Sequence, residues 1–194
     1  MTKQKETTVY FVSGNQSKVF EIASVIEKYG VKLKQVDLDL PEVKKENDVK
    51  EIARQKALDA VKILKKPVVC EDNGLFISCL NGFPGINTKF AVQTIGVKGI
   101  INLLKQKKNR SAEFRSALAF ASPNGKTKVF TNLCKGKVIL KQKGNLKKHF
   151  PLDTVFVPKG DTRTFSQMTL EEKNKYAKHN VQNAIDFAEW FSKE

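Results

Sequence analysis

Apolar residues along this chain fall into short runs and helical stripes separated by polar turns. Val9-Tyr10-Phe11-Val12 is an apolar run bounded by polar residues, the pattern of a buried strand. It breaks at Ser13-Gly14-Asn15, after which Val19, Ile22, Ala23 and Ile26 recur at helical spacing until Gly30 stops them. A second strand is predicted over Lys32 to Asp37, and the mixed-charge stretch Pro41 to Asp48 reads as a loop. Ala53, Ala57, Ala60, Val61 and Leu64 form the stripe of a second helix. That helix must end before Pro67, because a proline pushes the residue ahead of it out of the helical region. Pro67-Val68-Val69-Cys70 repeats the buried-strand pattern, and Glu71-Asp72-Asn73-Gly74 is predicted to close it.

After Leu75-Phe76-Ile77 comes a turn-rich piece, Asn81-Gly82-Phe83-Pro84-Gly85, and then a helical stripe of Val97, Ile100, Ile101 and Leu104. Alternation over Ala112 to Phe120 and Thr127 to Leu133, joined through Ser122-Pro123-Asn124-Gly125, predicts an antiparallel hairpin. Thr169-x-x-Glu172 fits a capping box at a helix start, and a last amphipathic helix runs from about Val181 to Phe191. There is no internal repeat, low-complexity segment or clear linker. A mixed α/β fold follows, its sheet built from both parallel crossovers and hairpins. The length, 194 residues, suits one domain or two lobes sharing a core.

Composition narrows the class. Hydrophobic residues are 40% of the chain and include thirteen Phe, enough to build a core and to argue against disorder of the whole. No apolar run approaches the ~20 residues of a membrane span, and the polar start from Met1 to Thr8 lacks the apolar centre of a secretory signal. Three Cys without CxxC spacing and two isolated His argue against a disulfide scaffold, a zinc knuckle or a His-rich metal site. The expectation is a cytoplasmic protein with no membrane association.

Charge adds a second feature. Lys and Arg number 35 against 20 Asp and Glu, a net of +15. Between Asn73 and Leu152 the only carboxylate is Glu113, against fifteen basic residues, so this segment holds +14. It reads either as a solvated lysine-rich surface or as an attraction for a polyanion, a phosphorylated substrate or a nucleic acid. Arg is the better bidentate reader of phosphates and bases, and only four are present, which argues against sequence-specific DNA reading.

Several places carry possible chemistry. A strand–turn–helix at Ser13-Gly14-Asn15-Gln16-Ser17-Lys18 would present backbone N–H groups and a lysine to an anion, although an ordinary capped helix has the same local pattern. The Walker pattern GxxxxGK[ST] is absent. Glu71-Asp72-Asn73-Gly74 would place carboxylates at a strand's carboxyl end, where they can hold Mg²⁺ or serve as a base, or else form a plain turn. Glu42, after Asp37, Asp39 and Pro41, is a candidate second oxygen ligand or a solvated carboxylate. Glu171-Glu172-Lys173-Asn174 with Lys178 and His179 clusters cations on a helical segment, and Phe150 is either a base-stacking ring or a core residue.

In their order and content these pieces resemble the inosine triphosphate pyrophosphatase family, enzymes that hydrolyse non-standard purine nucleoside triphosphates. Ser13-Gly14-Asn15-x-x-Lys18 is similar to the family's opening [ST]-G-N-x-x-K. Glu71-Asp72-Asn73-Gly74-Leu75 with Leu80-Asn81-Gly82-Phe83-Pro84-Gly85 is similar to its E-D-[ST]-G-L…L-x-G-x-P-G block. Phe150-x-x-Asp153-x-x-Phe156-x-Pro158 resembles F-G-[YW]-D-P-x-F-x-P, and Thr164-Phe165-Ser166-Gln167-Met168 with Glu172-Lys173-Asn174 resembles T-x-A-E-M…E-K-N. The blocks span residues 9 to about 185, nearly the whole chain.

The resemblance implies a single domain over residues 1–194, a two-lobed α/β fold with a long central mixed sheet flanked by helices and a nucleotide cleft between the lobes. It implies a homodimer and cleavage between the α and β phosphates that requires Mg²⁺, with Mn²⁺ able to substitute. Transferred onto this chain, Ser13, Gly14, Asn15 and Lys18 hold phosphate, Lys56 reaches the triphosphate, and Glu42 and Asp72 bind metal. Asp72 also orients the attacking water, Asn73 lines the site, Phe150 stacks on the base, Asp153 holds the far side of the pocket, and Lys173 contacts the nucleotide. The departures fall in the base-reading part. Ala177-Lys178-His179 stands where the family has Ser-His-Arg, leaving Lys178 and His179 as candidate base readers. Pro151-Leu152 replaces Gly and an aromatic, Asn73 replaces Ser or Thr, and Asn87-Thr88-Lys89 also departs from the family's pattern. These changes keep two alternatives open: the same reaction on another base, such as dUTP or a modified nucleotide, or a non-catalytic relative that binds nucleotide or, through residues 73–152, nucleic acid.

Overall fold

The computed structural model describes residues 8–14, 16–41, 47–145, 150–176 and 178–194; for Ser17, Glu21 and residues 178–180 it describes the backbone alone. In chain order the elements are β1 (Thr8–Val12), α1 (Gln16–Ile26), β2 (Lys32–Val36), α2 (Val49–Leu64), β3 (Val68–Ile77), β4 (Pro84–Gly85), α3 (Thr88–Thr94) and α4 (Gly96–Leu104). They continue with β5 (Ser111–Ala121), β6 (Thr127–Val138), β7 (Phe156–Pro158), α5 (Leu170–Tyr176) and α6 (Lys178–Phe191). The strands form one seven-stranded sheet in the order β2-β1-β3-β5-β6-β7, with β4 paired to β3. β1 is parallel to both β2 and β3, whereas the β3–β4 and β6–β7 pairs are antiparallel. The mixed α/β sheet expected from the hydrophobic pattern is therefore present.

By its internal contacts the chain divides into two compact units, residues 1–72, 116–132 and 180–194 in the first and 73–115 and 133–179 in the second. In the first, Val9 and Phe11 of β1 pack with Ile22 and Ile26 of α1, Val69 of β3 and Phe187 of α6. Ile22 and Ile26 lie one turn apart, so a single face of α1 is buried. The helix tightens into a 3₁₀ turn over Glu27–Tyr29 and ends where Gly30 takes φ +76°, a conformation that a Cβ disfavours. Asp48 caps α2 by accepting from the Lys50 N–H at 2.9 Å. Val49, Ala53, Ala57 and Ala60 form the buried stripe of α2.

The second unit packs Leu75 and Ile77 of β3 against Ile100 and Leu104 of α4 and the rings of Phe114, Phe156 and Phe165. Phe114 and Phe156 meet edge to face with centroids 4.7 Å apart, a favourable quadrupole arrangement. All four apolar residues of the predicted stripe, Val97, Ile100, Ile101 and Leu104, are buried in α4. Among the described residues no helix is long and apolar enough to cross a membrane.

Two expectations change. Glu71-Asp72-Asn73-Gly74 does not close a strand: β3 runs straight through it to Ile77. Leu75, Phe76 and Ile77 are buried, and Leu75 and Phe76 pair with Gly85 and Pro84 of β4, so tertiary pairing overrides the turn preference of Asp-Asn-Gly. Gly74 serves close approach instead, since a Cβ there would overlap the carbonyl of Gly85. Helix α3 was not expected, because its seven residues show one buried apolar position, Ala91, and no stripe. The stretch Pro41 to Asp48, expected as a loop, falls largely outside the described residues.

Candidate active site

The first unit brings five candidate residues, Ser13, Gly14, Lys18, Lys56 and Asp72, together at the point where the sheet changes direction. From β1 the chain crosses through α1 to β2 on one side, then through α2 to β3 on the other. Two right-handed crossovers of opposite sense set α1 and α2 on opposite faces and open a crevice beyond the carboxyl ends of β1 and β3. Val12 of β1 pairs with Cys70 of β3, so Ser13 and Glu71 follow at the same level. Ser13 is tied down by its backbone: its N–H donates to Val36 at 3.0 Å, and its carbonyl accepts from the Gln35 side chain at 2.8 Å. At Gly14 a Cβ would crowd the Asp37 carboxylate at 3.2 Å, which favours glycine in this turn. Asn15 lies outside the described residues.

Successive side chains of an extended strand point to opposite faces, so Glu71 and Asp72 leave β3 on opposite sides. Each meets a lysine from the helix on its side. Lys18 of α1 places Nζ 3.0 Å from Glu71 Oε2, and Lys56 of α2 places Nζ 2.7 Å from Asp72 Oδ1. Glu71 is almost wholly buried, its side chain 2% exposed, while Asp72 is 15% exposed. Glu71 Oε2 and Asp72 Oδ2 are both buried oxygens, and Ser116 of β5 donates to Glu71 Oε1 at 3.2 Å. Lys56 sits in α2 beside the buried Ala57, so the packing that docks the helix also aims the ammonium.

The second unit assembles the other candidates. Phe150 precedes a 3₁₀ turn over Pro151–Thr154 and is 42% exposed, available for stacking rather than committed to the core. Asp153, 3% exposed, is bridged by Lys173 of α5 with Nζ 2.6 Å from Oδ2, and the same ammonium lies 5.3 Å from the centre of the Phe165 ring. Pro151 occupies the first position of its turn, where a fixed φ is tolerated. Leu152 is fully buried in the core with Val155 and Phe156, so the leucine fills the interior. Asn73 is a half-buried residue of β3. Lys178 and His179 open α6, with side chains outside the described set, and Glu42 lies wholly outside it.

The pairings of Lys18, Lys56 and Lys173 with carboxylates, and the participation of Glu71 and Ser116, are beyond what local pattern reveals. Glu71 stands in the motif block but offered no signal separating it from Asp72; only the burial difference does so. Among the described residues no group of three or more His, Cys, Asp or Glu could hold a metal. Asp72, partly open to solvent, nonetheless presents a hard oxygen donor of the kind a divalent ion takes together with water and phosphate. A 630 Å³ depression on the outer face of α1, lined by Val19, Phe20 and Ala23 with Gln16 and Gln35, offers no acid or base.

Comparison with known proteins places the chain in a family. The model of the Ham1 family matches residues 9–185. The chain is 37% identical over 183 residues to the dITP/XTP pyrophosphatase of Methanopyrus kandleri, covering 94% of this chain and 95% of that one. It is 37% identical over 180 residues to the protein of the same name from Saccharolobus solfataricus, covering 92% and 91%. The crystal structure of a nucleoside-triphosphatase / dITP/XTP pyrophosphatase from Mycobacterium abscessus superposes with a TM-score of 0.76 at 27% identity, over 92% of this chain and 97% of that one. The Staphylococcus aureus Ham1 protein shares the fold, with a TM-score of 0.79 at 23% identity over 96% and 98% of the two chains. With the family match spanning all four motif blocks and the crevice residues they supply, this chain is a member of the Ham1 family.

Proposed function

We propose that this protein is a nucleoside triphosphate pyrophosphatase that hydrolyses deaminated purine nucleotides, ITP, dITP and XTP, to the monophosphate and pyrophosphate. The observation that carries the reading is the pair of lysine–carboxylate contacts, Lys18–Glu71 and Lys56–Asp72, at the β1/β3 crossover point. The named activity of relatives 37% identical over nearly the whole chain supports it.

A triphosphate carries roughly four negative charges and needs cations along its length. An ammonium has three N–H donors, so the carboxylates that aim Lys56 and Lys173 do not exhaust them. In this reading Ser13, Gly14, Asn15 and Lys18 cradle phosphate, and Lys56 reaches the same group from α2. Asp72 and Glu42 are the ligands for Mg²⁺, which Mn²⁺ can replace, and the ion supplies Lewis-acid neutralisation of phosphate charge when bound. Asp72, partly open to solvent, accepts a hydrogen bond from water and orients its lone pair toward the α-phosphorus. Lysine charge stabilises the departing pyrophosphate. Phe150 stacks on the base, Asp153 and Lys173 hold the nucleoside end, Asn73 lines the site, and Lys178 and His179 read the purine edge. As the family resemblance implies, the protein works as a cytoplasmic homodimer.

The test is pyrophosphate release with Mg²⁺ from ITP, dITP, XTP, dUTP, ATP and GTP, beside Asp72→Asn. Deaminated purines should lead in kcat/KM by at least about tenfold, roughly 1.4 kcal/mol of transition-state discrimination. Asp72→Asn should remove about 10²-fold or more of kcat with the far-ultraviolet circular dichroism unchanged. A preference for dUTP would move the substrate to another base. Turnover that survives Asp72→Asn would remove Asp72 from the chemistry.

A further inference from the structure

Behind Glu71 the first unit contains a line of buried polar groups that the reaction as described does not use. Asn183 of α6 is fully buried and Ser116 of β5 is 1% exposed. Asn132 of β6 donates from Nδ2 to Asn183 Oδ1 at 3.0 Å, and Asn183 donates from Nδ2 to Ser116 Oγ at 3.1 Å. Ser116 Oγ in turn donates to Glu71 Oε1 at 3.2 Å, and Glu71 Oε2 meets Lys18 Nζ at 3.0 Å.

The direction of this chain is forced by chemistry. Both of its carboxylates accept only: Glu71 at one end, and Asp186, 3.4 Å from Asn132 Nδ2, at the other. Asn132 must therefore turn its NH₂ toward Asp186 and Asn183. Asn183, having accepted on its oxygen, must donate to Ser116. A serine hydroxyl has one proton, and because Ser116 accepts from Asn183 that proton is left for Glu71. Buried polar groups persist where each is satisfied by a neighbour, and such networks hold one geometry.

We propose that Asn183 and Ser116 are positioning residues: they fix the Glu71 carboxylate and, through it, the Lys18 ammonium in the place where substrate phosphate binds. The proposal rests on the pyrophosphatase reading for its catalytic consequence, while the positioning of Lys18 stands on geometry alone. Neither residue touches substrate. Each acts through Glu71.

The test compares Ser116→Ala, Asn183→Ala, the double variant and Ser116→Thr. Two readouts are used: steady-state ITP hydrolysis with Mg²⁺, and the ¹⁵N-edited NMR signal of the Lys18 ammonium in the nucleotide-free protein, assigned by its loss in Lys18→Arg. Each alanine variant should lower kcat by about tenfold with KM moved less than about threefold, the size expected of small misplacement of a reacting group. The double variant should lose no more than the worse single one, because both break the same line. Ser116→Thr keeps the hydroxyl and should restore kcat. The Lys18 signal should be sharp in the native protein and broadened by exchange in both alanine variants. Should an alanine variant fail to fold, Asn183→Asp replaces it. That substitution keeps the volume but removes the donor, so the Ser116 proton is drawn away from Glu71 with the same loss of kcat. Unchanged kcat in folded variants, losses that multiply, or a Lys18 signal that stays sharp would overturn the proposal. A native protein that hydrolyses no nucleotide would refute the activity, and the ammonium signal would then decide the positioning claim by itself.

Discussion

Cys70 precedes the Glu71–Asp72 pair by one residue, yet burial pushes its thiol up to about 12 despite the opposing pull of the Lys56 ammonium. Cys134 behaves alike: burial raises it to about 11, with Lys173 acting the other way. Thiolate, not thiol, is the reactive form, so both are inert at neutral pH, whereas Cys79 is only half-buried. A disulfide exchange reagent at pH 8 should therefore modify one thiol quickly and the other two only on unfolding, and Cys79→Ser should abolish the fast phase. Equal reaction of all three would contradict the packing around β3 and β6. The same contrast shows what single residues disclose of the site. Ser13, Lys18, Asp72, Asp153 and Lys173 were each legible as members of motif blocks and Lys56 only through the family resemblance, but their pairings join positions 16 to 53 residues apart, and local spacing says nothing about those. Ser116 and Asn183 carried no signal at all. A serine in an apolar strand and an asparagine in an amphipathic helix look solvent-facing until the fold buries both.

Helix α5, which carries Lys173, is only seven residues long and buries none of them, so packing alone cannot hold its start. The capping box legible in Thr169-x-x-Glu172 is present: Thr169 N–H donates to Glu172 Oε2 at 2.9 Å, and Glu172 N–H to Thr169 Oγ1 at 3.2 Å. What the pattern did not show is Arg163, which reaches Glu172 Oε1 at 2.9 Å and Asp161 Oδ2 at 3.1 Å, with the Tyr176 hydroxyl on the same Asp161 oxygen. The Arg163 side chain and backbone N–H hold Asp161 below its ordinary 3.8, and the Thr169 N–H with Arg163 holds Glu172 below 4.5. A carboxyl depressed in the folded state binds fewer protons there than in the unfolded chain, so its stabilisation is complete above its ordinary value and disappears as pH falls through the folded one. Arg163→Met should lower the melting temperature at pH 7 and flatten its decline between about pH 4.5 and 2.5 in thermal scans; an unchanged acid limb would mean that these carboxylates titrate alike in both states. Elements with strong periodicity, such as α1, α2, α4 and the β5–β6 hairpin, were legible because burial imposes the pattern. Helix α3 and strand β7 were not: one is too short for a stripe, and the other is a three-residue edge strand.

Across the whole molecule the charge is uneven, since residues 73–152 hold +14 of the net +15. Lys98, Lys105, Lys107 and Lys108 on and after α4, and Lys135 and Lys137 on β6, all expose their side chains. Among the described residues none of them is held in an ion pair, in contrast to Lys18, Lys56 and Lys173, each of which is aimed by an acid. Exposed lysines of this kind contribute little to stability, but a surplus of one sign creates a field that draws an anionic substrate before any contact forms. The screening length falls from ~14 Å at ~0.05 M salt to ~4 Å at ~0.5 M, scaling from ~10 Å at 0.1 M. If this field aids capture of a nucleoside triphosphate, kcat/KM for ITP should fall about threefold or more over that range while kcat at saturation stays level, because salt weakens approach and not the bonds made inside the site. Replacing Lys105, Lys107 and Lys108 together by Gln should make the salt dependence shallower with the melting temperature unchanged. Stopped-flow or steady-state rates across a KCl series decide the matter. A flat kcat/KM would show that the surplus plays no part in substrate capture, and a fall confined to kcat would place the salt effect inside the crevice, on Lys18 and Lys56.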